Sequence, residues 1–164
     1  MFFDNLSKKE LEKLESVGTL TTYEQNMPIV EEGLPGSSFA VILKGRAEVR
    51  KRIDGGKYKA LVVLVPFDVI GELGFLGVVT RSASVVALEK TEILSFERDT
   101  FQALAAVQPH IGLTVYRNMA QILAERLASN NVNLMDTIIW ALGHARGGAD
   151  GPPGAGGSRL RWAG

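Results

Sequence analysis

The sequence predicts an α+β fold in which short β-strands lie between two helical regions. Three observations support this prediction. Apolar residues recur at helical spacing up to Val17, short apolar segments separated by turn residues fill residues 20–96, and helical spacing returns after Pro109. Seven or more short strands at such intervals are typical of a sandwich, a barrel or a roll.

The first helix is predicted to begin after Ser7. A serine is a favourable N-cap, and Glu10 three residues later can complete a capping box. The apolar stripe of this helix consists of Leu6, Leu11, Leu14 and Val17. This spacing predicts that one face of the helix packs on the core.

Short strands follow, separated by turn residues such as those of Gly33–Gly36 and Asp54–Gly56. The predicted strands lie near residues 19–24, 28–31, 38–44, 46–53, 58–65, 83–88 and 91–96. One predicted hairpin carries the basic residues Lys44, Arg46, Arg50, Lys51, Arg52, Lys57 and Lys59. This hairpin is either a patch for an acidic partner or a solvated strand face, and the alternation of charged and apolar residues favours the solvated face.

A long helix is predicted from Pro109 to Leu142, and it would measure about 50 Å. Its rough apolar stripe consists of Met119, Leu123, Leu127, Leu134 and Ile138, with Asn130 inside it. The helix either extends beyond the strands or breaks near residues 129–131 and folds back on them. Residues 1–142 then form one domain.

Residues 143–164 are rich in glycine and proline, which predicts a disordered tail. The last residues, R-L-R-W-A-G, are interpreted as part of that tail, with a docking peptide as the alternative.

Composition excludes several kinds of site. The chain has 164 residues, zero formal net charge, no cysteine and two histidines, His110 and His144. Disulfides and thiolate metal sites are therefore excluded, and two histidines do not make a typical metal centre. A neutral chain has no broad nucleic-acid footprint. No apolar run reaches the ~18 residues of a membrane span, and no signal-peptide core is present, so we expect a cytoplasmic protein without a membrane partner.

The segment Gly71–Ala87 reads G-E-L-G-F-L-G-V-V-T-R-S-A-S-V-V-A, and it carries the residues of a phosphate site. Gly71 lets a ligand approach the backbone, Arg81 offers a planar fork to paired phosphate oxygens, and Ser82 adds a hydroxyl donor. Glu72 would repel a phosphate but can accept a hydrogen bond from a ribose 2′-OH. One phosphate beside one ribose hydroxyl describes a cyclic nucleotide. The alternative is a plain salt bridge between Glu72 and Arg81.

This segment resembles the phosphate-binding cassette of the cyclic-nucleotide-binding domain family, which includes the bacterial catabolite activator and the regulatory subunit of protein kinase A. The resemblance covers residues 2–126 and includes F-F-D-N-L-S-K-K-E-L-E-K-L and E-E-G-L-P-G-S-S-F-A-V-I-L-K-G. It implies an eight-stranded antiparallel β-roll, similar to a jelly roll, flanked by an N-terminal helix and a long C-terminal helix.

The resemblance also implies a set of ligand-binding residues. They are Gly71, Glu72, Leu73, Arg81, Ser82, Ala83 and Arg126. Glu72 would accept the ribose 2′-OH, and Arg81 would pair with the cyclic phosphate, which the two residues after it would cap. Arg126 falls at the position from which the family contacts the base. The chain departs from the family at Asn26, which tolerates a left-handed backbone, and at Phe67, a bulky residue that suggests a changed turn.

The expected function is that of a regulatory sensor that binds cyclic AMP or cyclic GMP, without cofactor or catalysis. Ser82, a serine rather than a threonine after the arginine, favours cyclic AMP over cyclic GMP as the ligand. The family's long helix implies a homodimer. Because there is no room for a DNA-binding helix-turn-helix, we expect a protein effector in trans. The alternatives are a degenerate roll that serves only for dimerisation, and a shortened transcription regulator.

Overall fold

Four α-helices and eight β-strands make up the part of the chain that the structure describes. The computed structural model describes residues 2–77 and 80–144. The helices are α1 (Lys8–Ser16), α2 (Glu72–Leu76), α3 (Arg98–Val107) and α4 (Pro109–His144). The strands are β1 (Thr19–Tyr23), β2 (Pro28–Val30), β3 (Ser38–Lys44), β4 (Ala47–Arg52), β5 (Tyr58–Leu64), β6 (Val69–Ile70), β7 (Ser84–Ala87) and β8 (Thr91–Glu97).

The strands form two antiparallel sheets, with the orders β1-β8-β3-β6 and β2-β7-β4-β5. This arrangement confirms the eight-stranded roll between helices. Each strand predicted from the sequence is present, with small shifts at its ends. The strand that the sequence pattern missed is β6, which pairs through Ile70 and Val69 with β3. Two residues are too few to show the alternation by which strands are recognised.

The hydrophobic core consists of two clusters of buried apolar residues, one against the helices and one between the sheets. Strand β3 lies between them. Phe39 and Val41 point to the helices, whereas Ala40 and Ile42 point to the second sheet, as the two-residue period of a strand requires. All four side chains are buried. The ring of Phe39 lies 4.7 Å, between centroids, from the ring of Phe75 in α2. This contact fixes the short helix α2 beside the beginning of β3.

Helix α1 begins with the predicted capping box. The carboxylate of Glu10 accepts hydrogen bonds from the backbone N–H and the hydroxyl of Ser7, at 2.8 and 2.6 Å. The same carboxylate lies 2.6 Å from Nδ1 of His110 in α4. These bonds lower the pKa of Glu10 to about 2, with the Ser7 hydroxyl as the largest cause. Glu10 therefore both caps α1 and joins it to the beginning of α4.

Helix α4 is unbroken, so the alternative in which it breaks near residues 129–131 is wrong. It ends at His144, two residues beyond the predicted end at Leu142. No helix among the described residues is both long and apolar enough to cross a membrane.

The predicted apolar stripe of α4 is buried against the roll near its beginning and exposed further along the helix. Met119 is buried in the core, whereas Leu127 is 62% exposed. The side chains of Leu134 and Ile138 lie outside the described residues, as do residues 145–164 of the predicted tail. The first half of the stripe therefore covers the roll, and Leu127 is left on the surface.

Phe67 lies in a tight turn formed by residues 65–68. The backbone N–H of Asp68 donates to the carbonyl oxygen of Val65 at 3.0 Å, and the Asp68 carboxylate accepts from the Val65 N–H at 2.8 Å. The φ of Phe67 is 75°, a value that favours glycine. The turn thus places a bulky residue in a left-handed conformation. Asn26, with a φ of 68°, adopts that conformation as predicted.

We expect Phe67→Asn to raise the free energy of unfolding by about 1 kcal/mol, because asparagine tolerates this backbone conformation. The Phe67 side chain is 46% exposed, so the substitution gives up little buried area. Phe67→Ala is the control, since it shortens the side chain without relieving the backbone. Chemical denaturation measures both variants. An asparagine variant no more stable than the alanine variant would contradict the prediction.

Candidate functional site

The guanidinium of Arg81 is held between β3 and the residue before α2. Its Nη1 donates to the carbonyl oxygens of Ser38 at 2.8 Å and Gly71 at 3.0 Å, and its Nη2 donates to the Ser38 hydroxyl at 2.9 Å. These acceptors are neutral, and Arg81 forms no ion pair with a described residue. Burial lowers the pKa of Arg81, while the carboxylates of Glu97 and Glu72 act in the opposite direction. A partly buried cation that forms no ion pair with a described residue favours binding of an anion.

Two glycines leave the space that this guanidinium fills. Gly71 has a φ of 80°, and a Cβ there would collide with Nη1 of Arg81 and lie 2.9 Å from the carbonyl oxygen of Ser38. A Cβ at Gly74 would lie 2.9 Å from the same Nη1 and 2.6 Å from the carbonyl oxygen of Gly36. Larger residues at either position would displace Arg81, since packed interiors leave no room for such overlaps.

Glu72, the first residue of α2, is paired with α4. It is 8% exposed, and its Oε1 accepts a hydrogen bond from Nη1 of Arg126 at 2.5 Å. Nη2 of Arg126 donates to the carbonyl oxygen of Val69 at 2.8 Å. The salt bridge considered from the sequence, between Glu72 and Arg81, is therefore wrong, because Arg126 is the partner of Glu72. This pair joins the long helix to the segment that carries Arg81.

Asp68 lies close enough to Arg126 to interact with it. Burial raises the pKa of the Asp68 carboxyl, and the backbone N–H of Val65 and the charge of Arg126 oppose that rise. Arg126 therefore lies near two carboxyl groups and carries the positive charge on the α4 side of the site.

A cavity of about 270 Å³ lies between the second sheet, α2 and α4. Its polar lining consists of Glu72, Arg81, Ser82, Arg126, Ser129 and Asn130. Its apolar lining includes Val30, Val49, Leu61, Val62, Leu64, Val69, Ile70, Leu73, Ala83 and Val85. Such a cavity suits one small ligand with an anionic group at the Arg81 end, a hydroxyl at Glu72 and a flat apolar part against the strands.

All the site residues predicted from the sequence line this one cavity. They are Gly71, Glu72, Leu73, Arg81, Ser82, Ala83 and Arg126. The carbonyl oxygen of Ser82 accepts a hydrogen bond from the Lys51 ammonium at 2.5 Å, so one residue of the basic hairpin supports the site. Lys51 is also paired with Glu32 at 2.9 Å.

Sequence reasoning missed two polar residues of the lining, Ser129 and Asn130. Both follow Arg126 by about one helical turn, which places all three on one side of α4. The sequence feature that indicates these two residues is the polar cluster at residues 129–131, which interrupts the apolar stripe. From the sequence alone, the same cluster also allows a break in the helix. The structure shows that two members of this cluster, Ser129 and Asn130, line the cavity.

Comparison with known proteins finds a match to the family model described as "Cyclic nucleotide-binding domain" over residues 20–108, more than half of the chain. The chain is 31% identical over 132 residues to the cyclic AMP receptor protein of Thermus thermophilus. That match covers 80% of this chain and 59% of the relative, so the chain spans about three fifths of the relative's length.

Two solved structures are also similar. The catabolite activator protein of Thermus thermophilus matches with a TM-score of 0.72 and 31% identity, over 81% of this chain and 61% of that chain. A cyclic nucleotide-binding domain from Methylobacillus flagellatus matches with a TM-score of 0.75 and 26% identity, over 81% of this chain and 75% of that chain.

Proposed function

The chain belongs to the cyclic nucleotide-binding domain family, and we propose on that basis that its cavity binds a cyclic mononucleotide, with cyclic AMP preferred to cyclic GMP. One observation carries the proposal. Arg81 is a partly buried cation whose acceptors among the described residues are neutral, in the same cavity as the carboxylate of Glu72. The preference for cyclic AMP is supported by Ser82 after the arginine and by the similarity to a cyclic AMP receptor protein.

In the proposed complex, Arg81 binds the cyclic phosphate. Arginine presents two donors on one edge of a rigid plane, and this geometry matches two phosphate oxygens. Ser82 and Ala83, which follow it along the cavity wall, cap the phosphate, and Gly71 lets it approach the backbone. The negative charge of the ligand then supplies the ion-pair partner that Arg81 does not have among the described residues.

Glu72 and α4 would bind the rest of the nucleotide. The Glu72 carboxylate accepts the ribose 2′-OH, and Arg126 holds that carboxylate in place at 2.5 Å. Because the Arg126 donors are directed to Glu72 and to the carbonyl oxygen of Val69, we assign the base contact to Ser129 and Asn130 instead. An amide and a hydroxyl supply both donors and acceptors to a purine edge.

The proposed activity is regulation by binding, without catalysis. The Glu72–Arg126 pair joins the cavity to α4, so a ligand that contacts Glu72 favours one position of the helix over another. The proposed readout is a change in α4 that a separate effector protein recognises.

We further propose that α4 mediates a homodimer. Leu127 and Met135 of α4 are 62% and 56% exposed, and Leu61 of the edge strand β5, which also lines the cavity, is 52% exposed. Exposed apolar side chains on one helix, and on an edge strand that lines the same cavity as that helix, are typical of an interaction surface.

Calorimetric titration with cyclic AMP, cyclic GMP and adenosine 5′-monophosphate tests the proposal. We expect cyclic AMP to bind more tightly than cyclic GMP. The linear nucleotide should bind most weakly, because its additional negative charge would lie in a cavity that contains Glu72. The absence of heat with either cyclic nucleotide at millimolar concentration would refute the function.

A second titration tests the role of Glu72. We expect 2′-deoxy cyclic AMP to bind about tenfold more weakly than cyclic AMP, because the buried carboxylate loses its hydroxyl donor. In Glu72→Gln this difference should fall to about twofold, since the charged acceptor is already lost. Equal discrimination in both proteins would show that Glu72 serves only to hold Arg126.

A further inference from the structure

We propose that Gly36 and Ser38, which lie more than thirty residues before the phosphate-binding segment, position Arg81 for its ligand. This inference rests on the proposed function and adds two positioning residues to it. Neither residue lines the cavity in which the nucleotide is proposed to bind. Both act on the ligand through Arg81.

Ser38 holds one edge of the guanidinium with two acceptors. Its carbonyl oxygen accepts from Nη1 at 2.8 Å, and its hydroxyl accepts from Nη2 at 2.9 Å. The carbonyl oxygen of Gly71 takes the second proton of Nη1 at 3.0 Å. Three of the five N–H donors of Arg81 are thus occupied. The two that make no hydrogen bond to a described residue belong to Nε and Nη2, which lie on one edge and match two phosphate oxygens.

Gly36 leaves the space for this orientation. A Cβ built on Gly36 would collide with Nε and Cζ of Arg81 and lie 2.6 Å from Nη2. These atoms belong to the edge that Ser38 leaves free. The φ of Gly36 is not in the left-handed range, so a side chain is excluded here by Arg81 and not by the backbone.

The segment before β3 also holds the backbone of Arg81. The backbone N–H of Arg81 donates to the carbonyl oxygen of Leu34 at 2.8 Å, and the Gly33 N–H donates to the carbonyl oxygen of Arg81 at 2.9 Å. Ser38 is followed by Phe39, which is 1% exposed at the centre of the aromatic core. Residues 33–38 therefore contact both the main chain and the guanidinium of Arg81, and the segment joins the core at Phe39.

Such positioning increases affinity because the rotamer freedom of an arginine side chain is lost on binding unless the side chain is already ordered. A guanidinium held by Ser38 has lost this freedom before the ligand arrives. The orientation of the guanidinium also decides which of its edges faces the ligand. A lysine in the same place would supply the positive charge without two donors on one edge.

The first test needs no ligand. In protein with isotope-labelled arginine, NMR measures rotation and proton exchange of the Arg81 guanidinium. We expect slow rotation of both Nη groups in the wild type and faster rotation of Nη2 in Ser38→Ala, which keeps the two carbonyl acceptors of Nη1. Ser37→Ala is the matched control, because the Ser37 hydroxyl is directed to Glu97 at 3.4 Å and not to Arg81. Equal rotation rates in wild type and Ser38→Ala would overturn the proposal, whether or not the chain binds a nucleotide.

The second test measures cyclic AMP affinity. We expect about a tenfold loss in Ser38→Ala, a similar or larger loss in Gly36→Ala, and recovery to within about twofold of wild type in Ser38→Thr, which restores the hydroxyl. In an Arg81→Lys background, Ser38→Ala should change affinity by less than about twofold, because lysine cannot use both Ser38 acceptors. A tenfold loss that persists in that background would show that Ser38 acts on the fold and would refute the positioning role.

Discussion

Replacing Arg81 by alanine is expected to weaken cyclic AMP binding by about a hundredfold or more. The substitution leaves a cyclic phosphate in a partly apolar cavity without its charged partner, and such losses are on the order of 2–5 kcal/mol. Arg81→Lys should fall between wild type and alanine, because it keeps the charge but not the paired donors. Calorimetry measures the affinities.

The matched control for this experiment is Arg46→Ala. It removes the same charge from an exposed ion pair with Glu89, 3.0 Å long, outside the cavity lining. It should leave cyclic AMP affinity within about twofold of wild type, since exposed ion pairs are screened by solvent. If Arg81→Ala binds as tightly as Arg46→Ala, the phosphate is not at Arg81.

Placing a charge at Leu127 is expected to separate the proposed dimer. Leu127 is 62% exposed in the single chain, and in a helix-to-helix contact the glutamate of Leu127→Glu would be buried without a partner, which costs several kcal/mol. Light scattering at tens of micromolar should give the dimer mass for wild type and the monomer mass for the variant.

Gln121→Glu adds the same charge at an exposed position on another side of α4 and should leave the dimer intact. A wild-type protein that is monomeric at this concentration would remove the basis for the dimer. Separation by both variants would show an effect of net charge and not of the Leu127 surface.

Much of the fold could be predicted because its signals are local. The capping box of Ser7 and Glu10 and the glycine-rich turns act within a few residues of the chain, and the structure confirms them. Strand β6 has no such signal, because its two residues become a strand only by pairing with β3. Phe67 is the opposite case. Its local preference is unfavourable, and the backbone bonds of the turn, including its N–H to the Ile42 carbonyl oxygen at 2.8 Å, override it.

The contiguous part of the candidate site could be predicted from its residue types, whereas Arg126 was predicted only from the family resemblance. Glu72 and Arg81 lie in one segment, and their residue types indicate their chemistry. The partners that orient them come from elsewhere: Arg126 reaches Glu72 across 54 positions, and Ser38 reaches Arg81 across 43. Such pairs form only when the roll brings β3 and α4 to the two sides of α2. Their separation in the sequence therefore does not predict them.

The crystal structure of the chain with cyclic AMP is the measurement that tests the central claim most directly. The claim predicts the nucleotide in the cavity between the second sheet, α2 and α4, with phosphate oxygens within hydrogen-bond distance of Nε and Nη2 of Arg81 and the 2′-OH within that distance of the Glu72 carboxylate. A nucleotide bound outside this cavity, or with its phosphate away from Arg81, would contradict it.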